Sequence, residues 1–489
     1  MEERYLTYSA ACLPAERLYV SWPRSAGGED KAPSELVGAL LSIFPSLLPL
    51  RGLPGEYFAN SKEAAFSRLA ARFSAGDGEA GALRLFFAGD PAYAGRVQAL
   101  ERASGQRLAG LEDKALARQL FGEKLFLSPT QVETYHQCRF QYFCRYGLNA
   151  KERRRAEVDV LQYGTLMHYL FERIFRLPAE ERRQWTEEEL LSRVQGLIEA
   201  YAQENMGGME LLSGREKYRL SRLAQSACRL IRHVEEELAQ SRFVPEHLEW
   251  GLGFGRDYPP LRIDTGKGIV TVGGTIDRVD VYLGSDGCRY VRVIDYKTGH
   301  KSFRLPDVLL GLNMQMLVYL AALVESGQEL PAGVLYMPAA EPSVSVDRGA
   351  GEEKIKAEAD KQLKMSGVVL SDQEIIQAME AGAKGRFIPA SLNKDGSLGR
   401  YSSALSRQEL HTVLEYSKLL IAAMGRELLE GRVEPEPALT GRNSCRYCPY
   451  SPVCGRELGD QNVKQDKTTS QEALAQMEEA LQKGGKAHG

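Results

Sequence analysis

The fold predicted for this chain of 489 residues depends on the stretch GGTIDRVDVYLGSDGCRYVRVIDYKTG, residues 273–299. Its two apolar runs are rich in alternating β-branched residues, and a Gly-Ser-Asp-Gly segment separates them, as in two strands joined by a tight turn. We predict the first strand, the turn and the second strand at residues 269–282, 284–287 and 289–296. The stretch therefore predicts a β-hairpin.

Three ionisable residues of this hairpin form a candidate site. Side chains on a strand alternate in direction, so Asp295 and Lys297 project from one face, and hairpin pairing brings Asp277 beside them. Two carboxylates and one ammonium at the end of apolar strands suit a divalent cation that activates a water. An Asp-x-Lys pair alone is more often a solvated ion pair, so the rest of the chain has to decide between these interpretations.

Length, charge and cysteine content restrict the class of protein. A chain of this length predicts about three domains, and 43% hydrophobic with 26% charged residues is typical of a globular protein. The net charge of −3 gives no sign of nucleic-acid binding, which would have to come from local basic patches. Eight cysteines do not make a disulfide scaffold in so long a chain, and they favour metal binding where they cluster.

Several functions lack their sequence signals. No G-x-x-x-x-G-K-[ST] motif occurs, so we predict no phosphate-binding P-loop. The longest uncharged stretch, residues 36–50, is too short to span a bilayer and contains Pro45 and Pro49. The N-terminus has no charged-then-apolar signal pattern. We therefore expect no membrane association and, by default, a cytoplasmic location.

A second candidate site consists of three clustered cysteines, Cys445, Cys448 and Cys454. Their C-x2-C-x5-C spacing brings soft thiolates to one metal centre. The fourth ligand has to come from far upstream, from Cys138 or Cys144. Zinc and an iron–sulfur cluster both remain open, and Pro449 directly after a cysteine favours the cluster.

Apolar periodicity predicts the elements around these sites. We predict helices at residues 131–146, 161–176 and 408–431, and short strands at 17–22, 247–254 and 334–337. The charged and Gly-rich residues 340–400 predict a long flexible loop. His168 lies on the second helix, and Gln315 and Tyr319 share one face of a further helix because they are four residues apart. Alone, a histidine such as His168 is more often structural than a ligand, whereas Gln315 and Tyr319 are explained equally well by packing.

Four short motifs occur in order: G-T-L-M-H (164–168), G-T-I-D (274–277), D-Y-K-T-G (295–299) and Q-M-L-V-Y (315–319). Together with one upstream cysteine and the C-x2-C-x5-C motif, they resemble the nuclease domain of the AddB family, within the PD-(D/E)XK superfamily of RecB type. The match covers roughly residues 125–457. It implies an α/β, restriction-endonuclease-like core with a mixed sheet flanked by helices.

The resemblance also implies a Mg²⁺ site with the ligands His168, Asp277, Asp295 and the backbone carbonyl of Tyr296. Lys297 would position or deprotonate the attacking water and stabilise the phosphorane. Gln315 and Tyr319 would orient the lysine and the DNA backbone. Glu249, just before the core strands, is a candidate outer carboxylate.

For the cysteines, the resemblance implies a [4Fe-4S] cluster on Cys138, Cys445, Cys448 and Cys454. Cys138 is preferred to Cys144 because it lies in Y-x-x-C-x-F-x-Y-F, which matches the first cysteine of the family. Such a cluster closes a very long loop and so restricts the unfolded chain. We therefore expect its role to be structural rather than redox.

The first residues carry a second resemblance. A-E-R-L-Y-V-S-W-P, residues 15–23, and the apolar helix after it are similar to the end of a helicase-like domain in the same family. The chain is thus expected to be the C-terminal part of a longer protein. The predicted parts are the tail of a helicase-like domain, a helical connector, the nuclease domain with its cluster, and a polar tail with a short helix, at residues 1–60, 61–125, 126–457 and 458–489.

The implied function is that of a Mg²⁺-dependent deoxyribonuclease of exonuclease type, acting on the 5′-terminated strand. Its substrate would be single-stranded DNA from an unwound duplex, in double-strand-break repair by homologous recombination. Its partner would be an AddA-type helicase–nuclease subunit, with which it would form a heterodimer. One alternative is a non-catalytic iron–sulfur scaffold that binds DNA, which the intact His168, Asp277, Asp295 and Lys297 argue against. Another is a stand-alone Cas4-like exonuclease, which residues 1–60 argue against because such chains are shorter and lack this segment.

Overall fold

The computed structural model describes residues 2–23, 25–26, 29–47, 49, 60–73, 78–105, 110–122, 124–150, 160–299, 301–345, 349, 351–438, 444–454 and 468–486. The chain divides into two compact units, Met1–Arg107 and Leu108–Gly489. Among the described residues, no helix has both the length and the apolar character that a membrane span needs.

The first unit is mainly helical. Its elements are α1 Glu2–Cys12, β1 Ser25–Ala26, β2 Glu29–Asp30, α2 Glu35–Ile43, α3 Lys62–Arg72, α4 Gly78–Ala88 and α5 Ala94–Gly105. Helices α3 to α5 enclose a small core that includes Phe66, Leu69 and Phe87. The strand predicted at residues 17–22 is wrong, because these residues bury no apolar face: Leu18 and Tyr19 are both exposed. Part of the segment predicted as a helicase-like tail, residues 50–59, lies outside the described residues.

The second unit holds the predicted hairpin. Its strands are β3 Leu125–Leu127, β4 Val244–Leu252, β5 Leu261–Asp264, β6 Ile269–Val272, β7 Gly274–Leu283, β8 Arg289–Lys297, β9 Glu329–Pro338, β10 Ser366–Leu370 and β11 Ala404–Leu405. Its first helices are α6 Lys114–Phe121, α7 Pro129–Gln137, α8 Arg139–Tyr142, α9 Val160–Phe175, α10 Ala179–Arg182, α11 Glu187–Asn205 and α12 Gly214–Gln240. The remaining helices are α13 Leu305–Leu309, α14 Met314–Val324, α15 Glu352–Leu363, α16 Gln373–Met379, α17 Arg407–Leu429, α18 Ser451–Cys454 and α19 Ser470–Lys486.

Two sheets form the centre of this unit. The larger sheet has the order β11-β10-β9-β8-β7-β4, and it is mixed because β8–β9 and β10–β11 are parallel while the other pairs are antiparallel. The smaller sheet has the order β3-β6-β5. Helix α14 packs on β8 and β9, and its Leu317 and Leu320 are fully buried. The predicted mixed α/β architecture is confirmed.

The hairpin has one strand break that the sequence analysis missed. The predicted first strand is two strands, β6 in the smaller sheet and β7 in the larger one, and they meet at Gly273. The Gly273 N–H donates to the Leu127 carbonyl, and a Cβ at this position would lie 2.5 Å from the Leu252 carbonyl oxygen and 3.1 Å from the Phe126 ring. The chain changes sheets here because only glycine fits between these neighbours.

Two further predictions need correction. The helix predicted at residues 131–146 is interrupted at Cys138, whose φ of −168° is extended, and it continues as α8 and a short π-helix, Phe143–Gly147. The loop predicted at residues 340–400 contains α15, β10 and α16. Apolar residues such as Val369 and Ile376 give these elements a buried face, which the charged composition of the segment concealed.

The described part of the predicted tail forms a helix, α19, that packs on the rest of the second unit. Thr469 caps α19, and its hydroxyl and backbone N–H exchange hydrogen bonds with Glu472 in a capping box. Ala473 and Met477 are fully buried against α13 and α17. The described part of the tail therefore belongs to the core of the second unit.

Candidate functional site

Helix α9 and strands β4 and β7 bring three metal-binding side chains together. One ligand atom each of His168, Glu249 and Asp277 lies within 4.8 Å of the other two. His168 Nδ1 is 3.3 Å from Glu249 Oε1 and 3.4 Å from Asp277 Oδ2. The other ring nitrogen, Nε2, lies 3.1 Å from the carbonyl oxygen of Tyr296. An imidazole and two carboxylates that converge from three elements are a suitable donor set for a divalent cation.

The hairpin places a second group beside the first. The register pairs Arg278 with Ile294, which puts Asp277 next to Asp295 across β7 and β8. Lys297 Nζ lies 2.6 Å from Asp295 Oδ2 and 3.4 Å from Gln315 Oε1, and Gln315 Nε2 donates to Asp295 Oδ1 over 3.1 Å. The predicted carboxylates, lysine and glutamine are therefore adjacent.

The charges of this site are unbalanced. Burial and the neighbouring Asp277 raise the pKa of Asp295 to about 7, although Lys297 acts in the opposite direction. Burial lowers the pKa of His168, but hydrogen bonds and charge from Asp277 and Glu249 outweigh it and raise that pKa to about 10. The carboxylates thus attract positive charge to this partly buried site, and the residues present fit a divalent cation.

Glu249 has a larger place in the site than the sequence analysis gave it. The register of β4 against β7 pairs Leu248 with Arg278 and Trp250 with Ile276, so Glu249 lies opposite Asp277. Its φ of +47° is left-handed, which costs a non-glycine residue roughly 1–3 kcal/mol. Backbone strain of this kind is often kept at functional sites. A sequence pattern gives no sign of it.

Tyr319 lies at the edge of the site and depends on a glycine. It is buried, and a Cβ on Gly274 would lie 2.6 Å from its hydroxyl oxygen. The glycine of the G-T-I-D motif therefore leaves room for this tyrosine. A further residue, Glu133 of α7, accepts a hydrogen bond of 3.1 Å from the Gln315 backbone N–H, and the sequence analysis missed it. Glu133 lies near the start of α7, after the N-cap residue Ser128 and the first helical residue Pro129. Nothing in the sequence there indicated a role in the site.

This geometry agrees with a comparison against known families. The sequence profile of the PD-(D/E)XK nuclease superfamily matches residues 126–455, which is most of the second unit. The chain belongs to the PD-(D/E)XK nuclease superfamily. The four motifs, two at the ends of the hairpin and one on either side of it in the sequence, therefore lie within a nuclease domain. The expected architecture is the observed one.

Similar proteins carry one shared description, the B subunit of an ATP-dependent helicase/deoxyribonuclease. The chain is 32% identical over 485 residues to such a protein of Acetivibrio thermocellus, covering 92% of this chain and 42% of that protein. Proteins of the same description from Clostridium novyi (35% over 350 residues, 69% of this chain and 31% of that protein) and Thermoanaerobacter sp. (28% over 490 residues, 95% and 43%) are also similar. The chain spans about two fifths or less of the length of these relatives.

The nuclease domain also gathers the predicted cysteines. Cys138 and Cys144 are buried with Phe140 in a small cluster against which Tyr450 and Cys454 pack. Burial, with charge from Cys448, Cys454 and Cys138, raises the pKa of the Cys144 thiol to about 11. Within the part of the chain that the structure describes, no three cysteine sulfurs lie within 4.8 Å of one another. Cysteines from the start and the end of the domain thus lie in one region of the structure.

Hydrogen bonds tie the two cysteine-bearing segments together. The Ala438 N–H donates to the Gln137 carbonyl over 2.8 Å, and the Tyr450 hydroxyl donates to the Ala150 carbonyl over 2.6 Å. Arg139, directly after Cys138, forms ion pairs with distant carboxylates, among them Glu427 at 2.8 Å and Glu436 at 2.6 Å. The start and the end of the nuclease domain thus meet at the cysteines.

Proposed function

We propose that this chain is a Mg²⁺-dependent deoxyribonuclease that hydrolyses single-stranded DNA, as part of a helicase–nuclease complex. The observation that carries the proposal is the convergence of His168, Glu249 and Asp277 beside the Asp295–Lys297 pair. In a nuclease fold, a cation-binding carboxylate set next to a lysine is the equipment needed for phosphodiester hydrolysis.

The side chains have distinct roles in this proposal. His168, Glu249 and Asp277 provide the donors that would hold the cation, and Asp295, next to Asp277 across the hairpin, would be a further ligand. The cation would supply a nucleophile at neutral pH and offset charge on the phosphate. Lys297 lies on the same face of β8 as Asp295, and it orients the attacking water and the phosphate. Gln315 holds both Lys297 and Asp295 through its amide group, so it fixes the distance between them. Tyr319 contributes a hydroxyl at the DNA side of the pocket.

The test is cleavage of end-labelled single-stranded DNA by the full chain. We expect cleavage with Mg²⁺, none with EDTA, and a loss of more than about a hundredfold in Asp295→Asn, because the isosteric amide removes the charge that attracts the cation. Asp395→Asn, in an exposed turn, is the matched control and should cleave like the parent. Full cleavage in EDTA, or by Asp295→Asn, would contradict the proposal.

The proposal includes a [4Fe-4S] cluster on Cys138, Cys445, Cys448 and Cys454. The burial of Cys138 in a small cluster against which Cys454 packs supports a shared site for cysteines of both segments. The choice of a [4Fe-4S] cluster over zinc rests on the family resemblance. Because these cysteines join the start and end of the domain, the cluster has a structural role here.

The relatives' description as helicase/deoxyribonuclease subunits supports a role beside a partner subunit. The AddA type of this partner, double-strand-break repair by homologous recombination, degradation of the 5′-terminated strand and a cytoplasmic location are proposed from the family resemblance alone. The relatives' description also favours a subunit over a stand-alone Cas4-like exonuclease. A chain that is inactive alone is still a nuclease if cleavage appears after the AddA-type subunit is added and is lost again with Asp295→Asn, since the partner can itself cleave DNA. A chain that stays inactive in that complex is a DNA-binding scaffold.

A further inference from the structure

The second unit contains a groove that the proposed catalytic chemistry does not use. It has a volume of about 760 Å³ and lies between helix α6, the smaller sheet and the end of α17. Five of its lining side chains are cationic: Lys114, Arg118, Lys124, Arg262 and Lys267. Among the described residues that line it, Glu430 is the one carboxylate, and it pairs with Lys267 over 2.5 Å. The groove therefore has a strong local positive charge in a chain whose net charge is −3.

Aromatic rings are exposed in the same groove. Phe126 and Phe254 are 53% and 67% exposed, and their ring centroids are 6.1 Å apart. Strand pairing places Phe126 beside Thr271 and Thr271 beside Arg262, so a ring and a guanidinium share the outer face of the smaller sheet. Cations that follow a backbone, combined with exposed rings on which bases stack, are the recurring features of surfaces that bind single-stranded nucleic acid.

A short stretch of backbone, residues 273–277, connects the groove with the candidate metal site. The Phe126 ring lies against Gly273, and the next residue, Gly274, lies against the Tyr319 hydroxyl. Exposed Arg256 donates to the Gly274 carbonyl over 3.0 Å and to Thr275 Oγ1 over 3.1 Å, so it adds a cation at this junction. Strand β7 then reaches Asp277, four residues after Gly273 and about 13 Å away at a rise of about 3.3 Å per residue.

We propose that this groove holds single-stranded DNA and directs it to the metal site. Lys124, Arg262 and their cationic neighbours bind the phosphates, while Phe126 and Phe254 stack with bases. The claim that the groove directs DNA to the metal site rests on the proposed nuclease function, whereas the claim that the groove binds DNA does not. The groove gives affinity without sequence preference, because rings and phosphate-binding cations accept every base.

Binding of the full chain to a fluorescein-labelled oligothymidylate, measured by anisotropy in EDTA, tests the groove without cleavage. We expect the double variant Lys124→Glu/Arg262→Glu to weaken binding at least tenfold and to reduce the salt dependence of log K by about 0.7 for each phosphate that is no longer neutralised. The double variant Phe126→Ser/Phe254→Ser should weaken binding roughly tenfold with an unchanged salt dependence.

Helix α12 offers a matched control. Tyr218 is 67% exposed there, between exposed Lys217 and Arg219, and none of the three lines the groove. Lys217→Glu/Arg219→Glu and Tyr218→Ser should bind like the parent, and thermal unfolding verifies that all variants fold. Parent-like binding by both groove variants, or no binding by the parent, would overturn the inference.

Cleavage with Mg²⁺ in the same preparations separates the two proposals. If the groove variants lose binding but the parent does not cleave even in complex with its AddA-type partner, the groove stands and the nuclease function fails. If the parent cleaves and the groove variants bind and cleave equally well, the nuclease function stands and the groove fails.

Discussion

At the scale of single residues, the site combines groups that hold protons where a cation would bind. Asp295 has a pKa of about 7 because it is buried beside Asp277, and His168 has a pKa of about 10 because two carboxylates face it. Both groups have to lose their protons before they can act as ligands. Protons and the cation therefore compete for the same atoms.

This competition predicts proton release when Mg²⁺ or Mn²⁺ binds. At pH 7 His168 holds a proton and Asp295 holds one in part of the molecules, so binding should release between one and two protons, and affinity should rise with pH. Calorimetry in buffers with different ionisation enthalpies measures this number. His168→Gln should release fewer protons than the parent, because the imidazolium proton is no longer there to be lost. Binding heats that do not depend on the buffer would show that these groups are not the ligands.

At the scale of elements, the first cysteine marks the break between α7 and α8. Cys138 lies at the break in the helix and is buried near the other cysteines, whereas Cys144 comes from the following π-helix. Both are buried and close to the C-terminal cysteines, so position alone does not separate them. The preference for Cys138 remains a prediction.

A pair of serine variants distinguishes the two cysteines. In protein purified without oxygen, Cys138→Ser should lose the iron and the brown charge-transfer absorbance, because the cluster loses a ligand. Cys144→Ser should keep both, since it removes only a buried thiol. Iron content per chain and the visible spectrum measure the difference. A colourless Cys144→Ser beside a brown Cys138→Ser would reverse the ligand assignment.

The sequence predicted the hairpin and its chemistry better than its surroundings. Alternation along the strands and the Asp-x-Lys spacing are local signals, so Asp277, Asp295 and Lys297 were placed together correctly. The sheet change at Gly273 depends on Leu252 and Phe126, which are distant in sequence. The full role of Glu249 depends on a left-handed backbone within a strand. Neither leaves a periodic pattern, and both result from tertiary contacts.

At the scale of the whole molecule, a buried charge network joins helix α12 to the hairpin. Arg278 and Arg292 contact Asp280 and Glu237, with nitrogen–oxygen distances between 2.6 and 3.0 Å. All four side chains are fully buried. Because side chains alternate on a strand, Arg278 points away from the face of Asp277, so the network supports the site from behind.

Loss of one charge from this network should destabilise the second unit. Glu237→Gln leaves buried Arg278 and Arg292 with one carboxylate, and we expect the free energy of unfolding to fall by about 3–5 kcal/mol. The adjacent Glu236→Gln removes a half-exposed partner of Arg386 and should cost less than about 1 kcal/mol. Urea unfolding of both variants measures the difference. Equal stabilities would mean that the buried network makes no special contribution.

The measurement that tests the central claim most directly is the position of Mn²⁺ in crystals of the full chain, located by anomalous scattering. The metal centre described here predicts one strong peak among His168, Glu249, Asp277 and Asp295, close to the Tyr296 carbonyl, and its loss in Asp277→Asn. A peak elsewhere, or one that persists at full height in Asp277→Asn, would contradict the assignment of the metal centre.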